Sequence, residues 1–144
     1  MEQRENPVWQ RVWNGQMPEG GDIRPLLLTA AESLAVYSQL AQTLTGKQRA
    51  TAAGLRDMAR RSLEALKGIQ SLSGHPAGNL RTPPVPKEPA RRLLEKSYHR
   101  ALRQMTEYTA RSLDPEFGVV YQSLGDRERT AAVLLAQLIG AAEA

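Results

Sequence analysis

Residues 22–44 read DIRPLLLTAAESLAVYSQLAQTL and carry apolar side chains at the spacing of a helix packed against neighbours. The stripe consists of Leu27, Ala30, Leu34, Tyr37, Ala41 and Leu44. Alternating steps of three and four residues place these side chains on one helix face, as in the seam between nearly antiparallel helices. The stretch therefore predicts a long helix that begins at Asp22 and ends before the Thr45-Gly46 stop signal.

Three further segments repeat this spacing and predict helices over about 47–72, about 88–112 and from Asp114-Pro115 to about 142. Their stripes are Leu55, Met58, Ser62, Ala65 or Leu66, Ile69 and Leu72; Leu94, Tyr98, Ala101, Met105 and Tyr108; and Phe117, Val120, Leu124, Glu128 or Arg127, Ala131, Leu134 or Leu135, and Leu138. The short Thr45-Gly46 link makes the first two helices an antiparallel hairpin. Residues 73–89 contain five prolines and two glycines, which predicts a long extended crossover to the third helix.

Composition favours a single all-α domain. The chain has 144 residues, of which 41% are hydrophobic and 5% aromatic, with alanine and leucine supplying much of the apolar surface. It has no cysteine, so neither a disulfide framework nor a thiolate metal site is available. No apolar run is long enough to span a membrane and the first residues do not resemble a signal peptide, so we expect a cytoplasmic protein without membrane contact.

The net charge of +4 raises the question of nucleic-acid binding. The basic residues occur as isolated pairs such as Arg60-Arg61 and Arg91-Arg92, mixed with glutamates. That pattern is typical of solvated helix faces rather than of a basic stripe. We therefore expect no nucleic-acid partner.

Residues 1–21 form a separate segment in the sequence. Asn6-Pro7 predicts the start of a short helix, in which Trp9 and Trp13 lie four residues apart and share one face. Glycines and prolines then predict a tether. Two interpretations remain open, because the tryptophans either pack on the chain's own helices or form a docking patch for a protein partner or a second copy, as in a dimer.

The first and third helices echo each other. When Tyr37 is placed over Tyr108, Ala30 falls on Ala101 and Leu34 on Met105. A hairpin, a long crossover and a second hairpin with this echo resemble the ferritin-like superfamily, and its rubrerythrin-type members in particular. The resemblance covers about residues 22–142 and implies an antiparallel four-helix bundle within a domain of residues 22–144.

The resemblance also implies where a pair of metal ions would be bound. In that family glutamates and Glu-x-x-His pairs point inward from the four helices; the corresponding positions here are Ala30, Ser62, Ala65, Ala101, Glu128 and Ala131. At most one ligand is kept, and one carboxylate cannot hold a metal pair. We therefore predict no metal and no cofactor, with Glu128 paired to an arginine such as Arg103 or Arg127.

Other candidate residues carry no complete site. Glu32 falls opposite the stripe and predicts a solvated side chain, and His75 and His99 lack partners at ligand spacing. Tyr37 and Tyr108 are better explained as core residues than as a redox pair. No phosphate loop, nucleophile elbow or zinc spacing is present, so we predict no catalytic residue.

Two hypotheses follow for function. The first is a non-catalytic ferritin-like bundle that acts as an interaction or structural module and self-associates. The alternative is an iron- or manganese-binding ferritin-like oxidoreductase or storage protein, whose metal site is divergent or is completed between subunits.

Overall fold

The computed structural model describes residues 22–74 and 80–143, and within these ranges it contains four helices and no strand. The helices are α1 (Arg24–Thr43), α2 (Gly46–Leu72), α3 (Ala90–Arg111) and α4 (Gly118–Glu143). The predicted all-α class is confirmed. The predicted N-terminal helix, with Trp9 and Trp13, lies outside the described residues.

The helix ends differ from the prediction in detail. Ile23, rather than Asp22, is the N-cap residue of α1, although Asp22 Oδ1 accepts a hydrogen bond from the Arg24 backbone nitrogen at 3.3 Å. Asp114 accepts hydrogen bonds from the backbone nitrogens of Glu116 and Phe117 at 2.8 and 2.7 Å. These bonds cap a turn, and the helix itself begins only at Gly118.

Gly118 starts α4 because the backbone comes very close to the end of α3 at this point. A Cβ atom on residue 118 would collide with the carbonyl oxygen of Ser112. Glycine is therefore required here by contact, since real Cβ atoms do not approach backbone oxygens so closely. The connection between α3 and α4 is consequently tight.

The helices pack in two pairs, which we call the first pair (α1 and α2) and the second pair (α3 and α4). The link in the first pair is held by Arg49, whose guanidinium donates to the carbonyl oxygens of Leu44 at 2.9 Å and Gln42 at 3.0 Å. Gly46 follows with φ +59°, in the left-handed region that glycine occupies without steric cost. The predicted Thr45-Gly46 hairpin is therefore formed.

The two pairs share a hydrophobic interior that falls into two clusters. The first core cluster consists of Val36, Tyr37, Leu40, Ala41, Ala52, Leu55, Ala59, Leu93, Leu94, Ala101, Ala131, Ala132, Leu135 and Leu138. The second core cluster consists of Ile23, Leu26, Leu27, Ala30, Ala31, Leu63, Leu66, Ile69, Tyr108, Tyr121 and Leu124. Each fully buried leucine contributes about 1.5–3 kcal/mol through removal of apolar surface from water.

The clusters also fix the directions of the helices. The first core cluster holds the C-terminal halves of α1 and α4 together with the N-terminal halves of α2 and α3. Thus α2 runs parallel to α3, and each pair is internally antiparallel. The closer contacts between pairs join α2 to α4 and α1 to α3.

A parallel α2 and α3 require the connecting segment to travel the length of the helices. Leu80, the first described residue after position 74, packs against the second core cluster, and Val85, nearer α3, packs against the first. Glu88 then forms an ion pair with Lys96 of α3, with 2.8 Å between the carboxylate oxygen and Nζ. This contact attaches the end of the segment to α3. The described part of the predicted proline-rich crossover therefore runs along the helices. None of the helices in residues 22–74 and 80–143 is both long and apolar enough to cross a membrane.

Candidate functional site: a buried polar layer

A layer of polar side chains lies between the two core clusters. We call it the polar layer; its members are Ser33, Ser62, Ser97, Arg100, Arg127 and Glu128. On α1, α2 and α4 these residues fall in the sequence between members of the two clusters. Such a layer needs an explanation, because burial of polar groups costs free energy unless each finds a partner.

Arg100 is the central member and is only 6% exposed. Its Nε donates to Ser33 Oγ and its terminal Nη2 to Ser97 Oγ, both at 2.9 Å. Its other terminal nitrogen lies 3.8 Å from the Glu32 carboxylate, whose side chain is 42% exposed. A guanidinium has five donors in fixed directions, so Arg100 links α3 to α1 through a serine on each helix.

A second arginine and serine contact joins the other helices. Arg127 on α4 donates to Ser62 Oγ on α2 at 3.1 Å. Ser62 is 1% exposed, and this bond gives its hydroxyl a partner in the interior. The polar layer therefore joins α1 to α3 through Arg100 and α2 to α4 through Arg127.

Glu128 is the acidic member of the polar layer. Surrounding side chains remove water from its carboxyl and raise its pKa to about 7, while the positive charges of Arg100 and Arg127 act in the opposite direction. The desolvation effect is the larger of the two, which is usual for a carboxylic acid within a hydrophobic interior. Glu128 thus exchanges its proton near neutral pH.

Two tyrosines border the polar layer on opposite sides. Tyr37 and Tyr108 are 3% and 1% exposed, and burial together with the nearby Glu128 charge raises the pKa of each hydroxyl. Both hydroxyls therefore stay protonated. The ring contact of Tyr108 is with Tyr121, whose centroid is 6.4 Å away in a stacked arrangement.

The six positions implied by the family resemblance are located as follows. Ala30, Ser62, Ala101 and Ala131 are buried, at 7%, 1%, 1% and 4% exposure. Ala65 and Glu128 are partly buried, and Ala65 packs against the second core cluster. Four of the six side chains are alanine and carry no donor atom for a metal.

The polar layer does not fit a pair of metal ions. Glu128 is its one carboxylate, and the neighbouring guanidinium groups of Arg100 and Arg127 would repel a cation. Hard divalent cations and iron pairs need several carboxylate or imidazole ligands that converge on the ion. In residues 22–74 and 80–143, no three His, Cys, Asp or Glu side chains come together in that way.

Sequence reasoning missed Arg100, which is the residue that organises the layer. Arg100 adjoins Ala101 but is not on the predicted stripe, and arginine is rarely buried. Of the two arginines predicted as alternative partners of Glu128, Arg127 is close enough for its charge to lower the pKa of this carboxyl, whereas Arg103 is exposed. The available signal was a serine three residues before Arg100, since a serine one turn away offers a guanidinium an acceptor.

The remaining candidates do not join the polar layer. His99 is exposed and makes an edge contact with the ring of Tyr98, with 5.7 Å between the centroids. His75, Trp9 and Trp13 lie outside the described residues. The predicted solvated Glu32 is partly exposed but ends beside Arg100, so its carboxylate is not simply a surface charge.

Comparisons of this chain with protein-family models, curated proteins and solved structures found no match.

Proposed function

We propose that this chain is a ferritin-like four-helix bundle in which the polar layer stands where related proteins bind two metal ions. Its role is that of a non-catalytic interaction module that self-associates. The observation that carries the proposal is the buried guanidinium of Arg100, adjacent to the implied ligand position Ala101 and bonded to Ser33 and Ser97.

The helix order supports the ferritin-like part of the proposal. A long crossover that makes α2 and α3 parallel, with α1 next to α3 and α2 next to α4, is the arrangement of two hairpins joined by one long connection. The echo of Ala30 and Tyr37 in Ala101 and Tyr108 adds to this support, because all four side chains are buried.

The chemistry of the polar layer supports a structural role. Arg100 and Arg127 supply positive charge in the interior, and three serine hydroxyls accept their hydrogen bonds. Charged hydrogen bonds of this kind contribute about 1.5–3 kcal/mol when formed and cost more when one partner is left alone. The layer therefore fixes which residues of the two pairs face each other.

Metal analysis of the purified full chain tests the proposal against the metal-binding alternative. The chain is incubated anaerobically with ferrous iron, and separately with manganese, then desalted and measured by plasma mass spectrometry. We expect well below one metal ion per chain. One or more iron or manganese ions per chain, lost in the Glu128→Gln variant, would establish the alternative instead.

A further inference from the structure

The segment that connects α2 to α3 has an outer surface that contributes nothing to the packing of the helices. Residues 80–89 read LRTPPVPKEP and form neither helix nor strand. Within this stretch Leu80, Val85 and Glu88 are partly buried, and every other residue is exposed. A few side chains therefore hold the segment against the helices while its prolines lie at the surface.

The sequence restricts the backbone of this segment to the polyproline II conformation. A proline ring fixes φ near −65°, and the residue before a proline is confined to extended backbone angles. Every residue from 82 to 89 except Lys87 is a proline or precedes one. Pro89, with φ −61° and ψ 152°, has the dihedral angles of polyproline II. The segment therefore has its shape before any partner arrives.

The burial pattern of the segment follows the polyproline II repeat. This conformation has three residues per turn, so residues three apart share an edge. Val85 and Glu88 form the edge toward the helices, and Val85 packs against the first core cluster. Pro83, Pro86 and Pro89 have the same spacing and all are exposed. We call these three residues the proline ridge, which is about 19 Å long at about 3.1 Å per residue.

The remaining edge of the segment carries positive charge. It consists of Arg81, Pro84 and Lys87, all of which are exposed. Within residues 22–74 and 80–143, neither Arg81 nor Lys87 forms an ion pair. The whole chain has a net charge of +4. An acidic partner is therefore attracted to this edge, since complementary charge steers association.

The backbone of the segment also offers hydrogen-bond acceptors. Among the described residues, no backbone–backbone hydrogen bond involves residues 80–88, whereas the carbonyl oxygen of Pro89 accepts from Arg92 and Leu93 at the start of α3. Polyproline II has no internal hydrogen bonds and relies on solvent for these groups. The carbonyl oxygens of the exposed residues are therefore available to donors on a partner, such as a tryptophan ring N–H.

We propose that the proline ridge, together with Arg81 and Lys87, is the docking surface for a protein domain that has an aromatic-lined groove with an acidic border. Such grooves bind proline-rich segments as polyproline II helices, and a preformed helix loses little conformational entropy on binding. This inference goes beyond the proposed function, because it depends neither on the metal content of the chain nor on its self-association.

Titration calorimetry of the full chain tests the docking surface. The probes are purified WW domains, which bind polyproline II in an aromatic groove, chosen with carboxylates at the border of the groove. We expect binding that the double variant Pro83→Ala with Pro86→Ala weakens by about tenfold or more. Pro25→Ala with Pro115→Ala, at two exposed prolines outside the segment, is the matched control. No binding by the wild-type chain, or equal losses in the two double variants, would overturn the proposal.

Charge reversal tests the acidic border of the partner. Arg81→Glu with Lys87→Glu should weaken binding about tenfold at low salt and less at high salt, because exposed charges are screened. Arg61→Glu with Arg103→Glu makes the same change in net charge at exposed positions of α2 and α3. Equal effects of the two charge-reversed chains would contradict a local contact with Arg81 and Lys87.

A synthetic peptide of residues 80–90 separates the surface from the sequence alone. The full chain should bind the same WW domain at least as tightly as the peptide does, since the helices hold the segment extended. Binding of the peptide without binding of the full chain would show that the bundle covers the proline ridge, and would overturn the proposal. Thermal unfolding of each variant confirms that lost binding is not lost folding, and the metal analysis above judges the proposed function independently.

Discussion

The first helices of the two pairs, α1 and α3, bury the same stripe of residues, which we call the seam. They differ in the residues on either side of the seam. Ala30 and Tyr37 of the first pair, and Ala101 and Tyr108 of the second, are all at most 7% exposed. One flank of α1 is apolar where α3 is polar, since Leu26 corresponds to Ser97 at the same spacing. On this flank α3 therefore supplies two members of the polar layer, Ser97 and Arg100.

The opposite flank differs in the reverse sense. Leu27 and Ala31 of α1 are 3% and 4% exposed, whereas the corresponding Tyr98 and Leu102 of α3 are partly exposed and line a shallow surface groove between α3 and α4. An internal repeat can therefore preserve the packing seam while its two copies diverge on either side. Both arginines of the polar layer belong to the second pair, which the repeat by itself does not reveal.

The largest expected effect comes from a charge placed in the shared seam. Ala101→Glu should lower the free energy of unfolding by about 3–5 kcal/mol at neutral pH, because it buries a carboxylate and overfills a packed position. Ala110→Glu, at an exposed position of the same helix, is the control. Chemical denaturation measures both, and a loss below 1 kcal/mol for Ala101→Glu would show that the seam tolerates a metal-type ligand there.

The second-largest expected effect is the loss of stability when the charge of Arg100 is removed. Arg100→Met keeps much of the side-chain volume but leaves Ser33 and Ser97 without their donor, so we expect a loss of about 1–3 kcal/mol in the free energy of unfolding. The loss should be greater at pH 8 than at pH 5, because ionised Glu128 also loses a nearby positive charge. Arg103→Met, at an exposed arginine of α3, should change stability by less than about 0.5 kcal/mol.

Glu128 predicts a pH dependence of defined sign. Its pKa is raised to about 7 in the folded chain, against about 4.3 in an unfolded chain. Between these values the folded state retains a proton that the unfolded state has lost, so the free energy of unfolding falls as pH rises from about 4.5 to 7 and then levels off.

Glu128→Gln removes this titration. We expect the variant to match the wild-type chain near pH 4.5 and to exceed it by about 1–3 kcal/mol at pH 8, after allowance for the partial exposure of the carboxyl. Urea unfolding at several pH values provides the measurement. Parallel curves for the two proteins would mean that the carboxyl is fully solvated.

The smallest predicted effects concern glycines of the first pair. Gly46→Ala should cost about 1 kcal/mol, because the residue has φ +59°. Gly68→Ala should instead stabilise the chain by about 0.5–1 kcal/mol, since Gly68 lies within the helix, one turn before the end of α2, and an added Cβ meets no neighbour within 4 Å. Thermal unfolding distinguishes the two signs, and a stabilising Gly46→Ala would argue against the left-handed turn.

The helices and their pairing were predictable from local sequence. Repeated apolar steps of three and four define α1 to α4 to within three residues at each described end, and Gly46 and the prolines mark the connections. The identity of the polar layer was not predictable in the same way. Ser33 and Arg100 are 67 positions apart, and no local pattern specifies a hydrogen bond between residues on different helices.

The sequence by itself determined an all-α chain whose first and third helices repeat one apolar stripe, with alanine at Ala30 and Ala101. Periodicity decides these features, because helix geometry alone places such residues on one face. Tertiary structure decided that Arg100 is inside and that Tyr98 and Leu102 lie along an outer groove. Both outcomes depend on the rotation of α3 against its neighbours, which is set by packing across the whole interior rather than by any stretch of the chain.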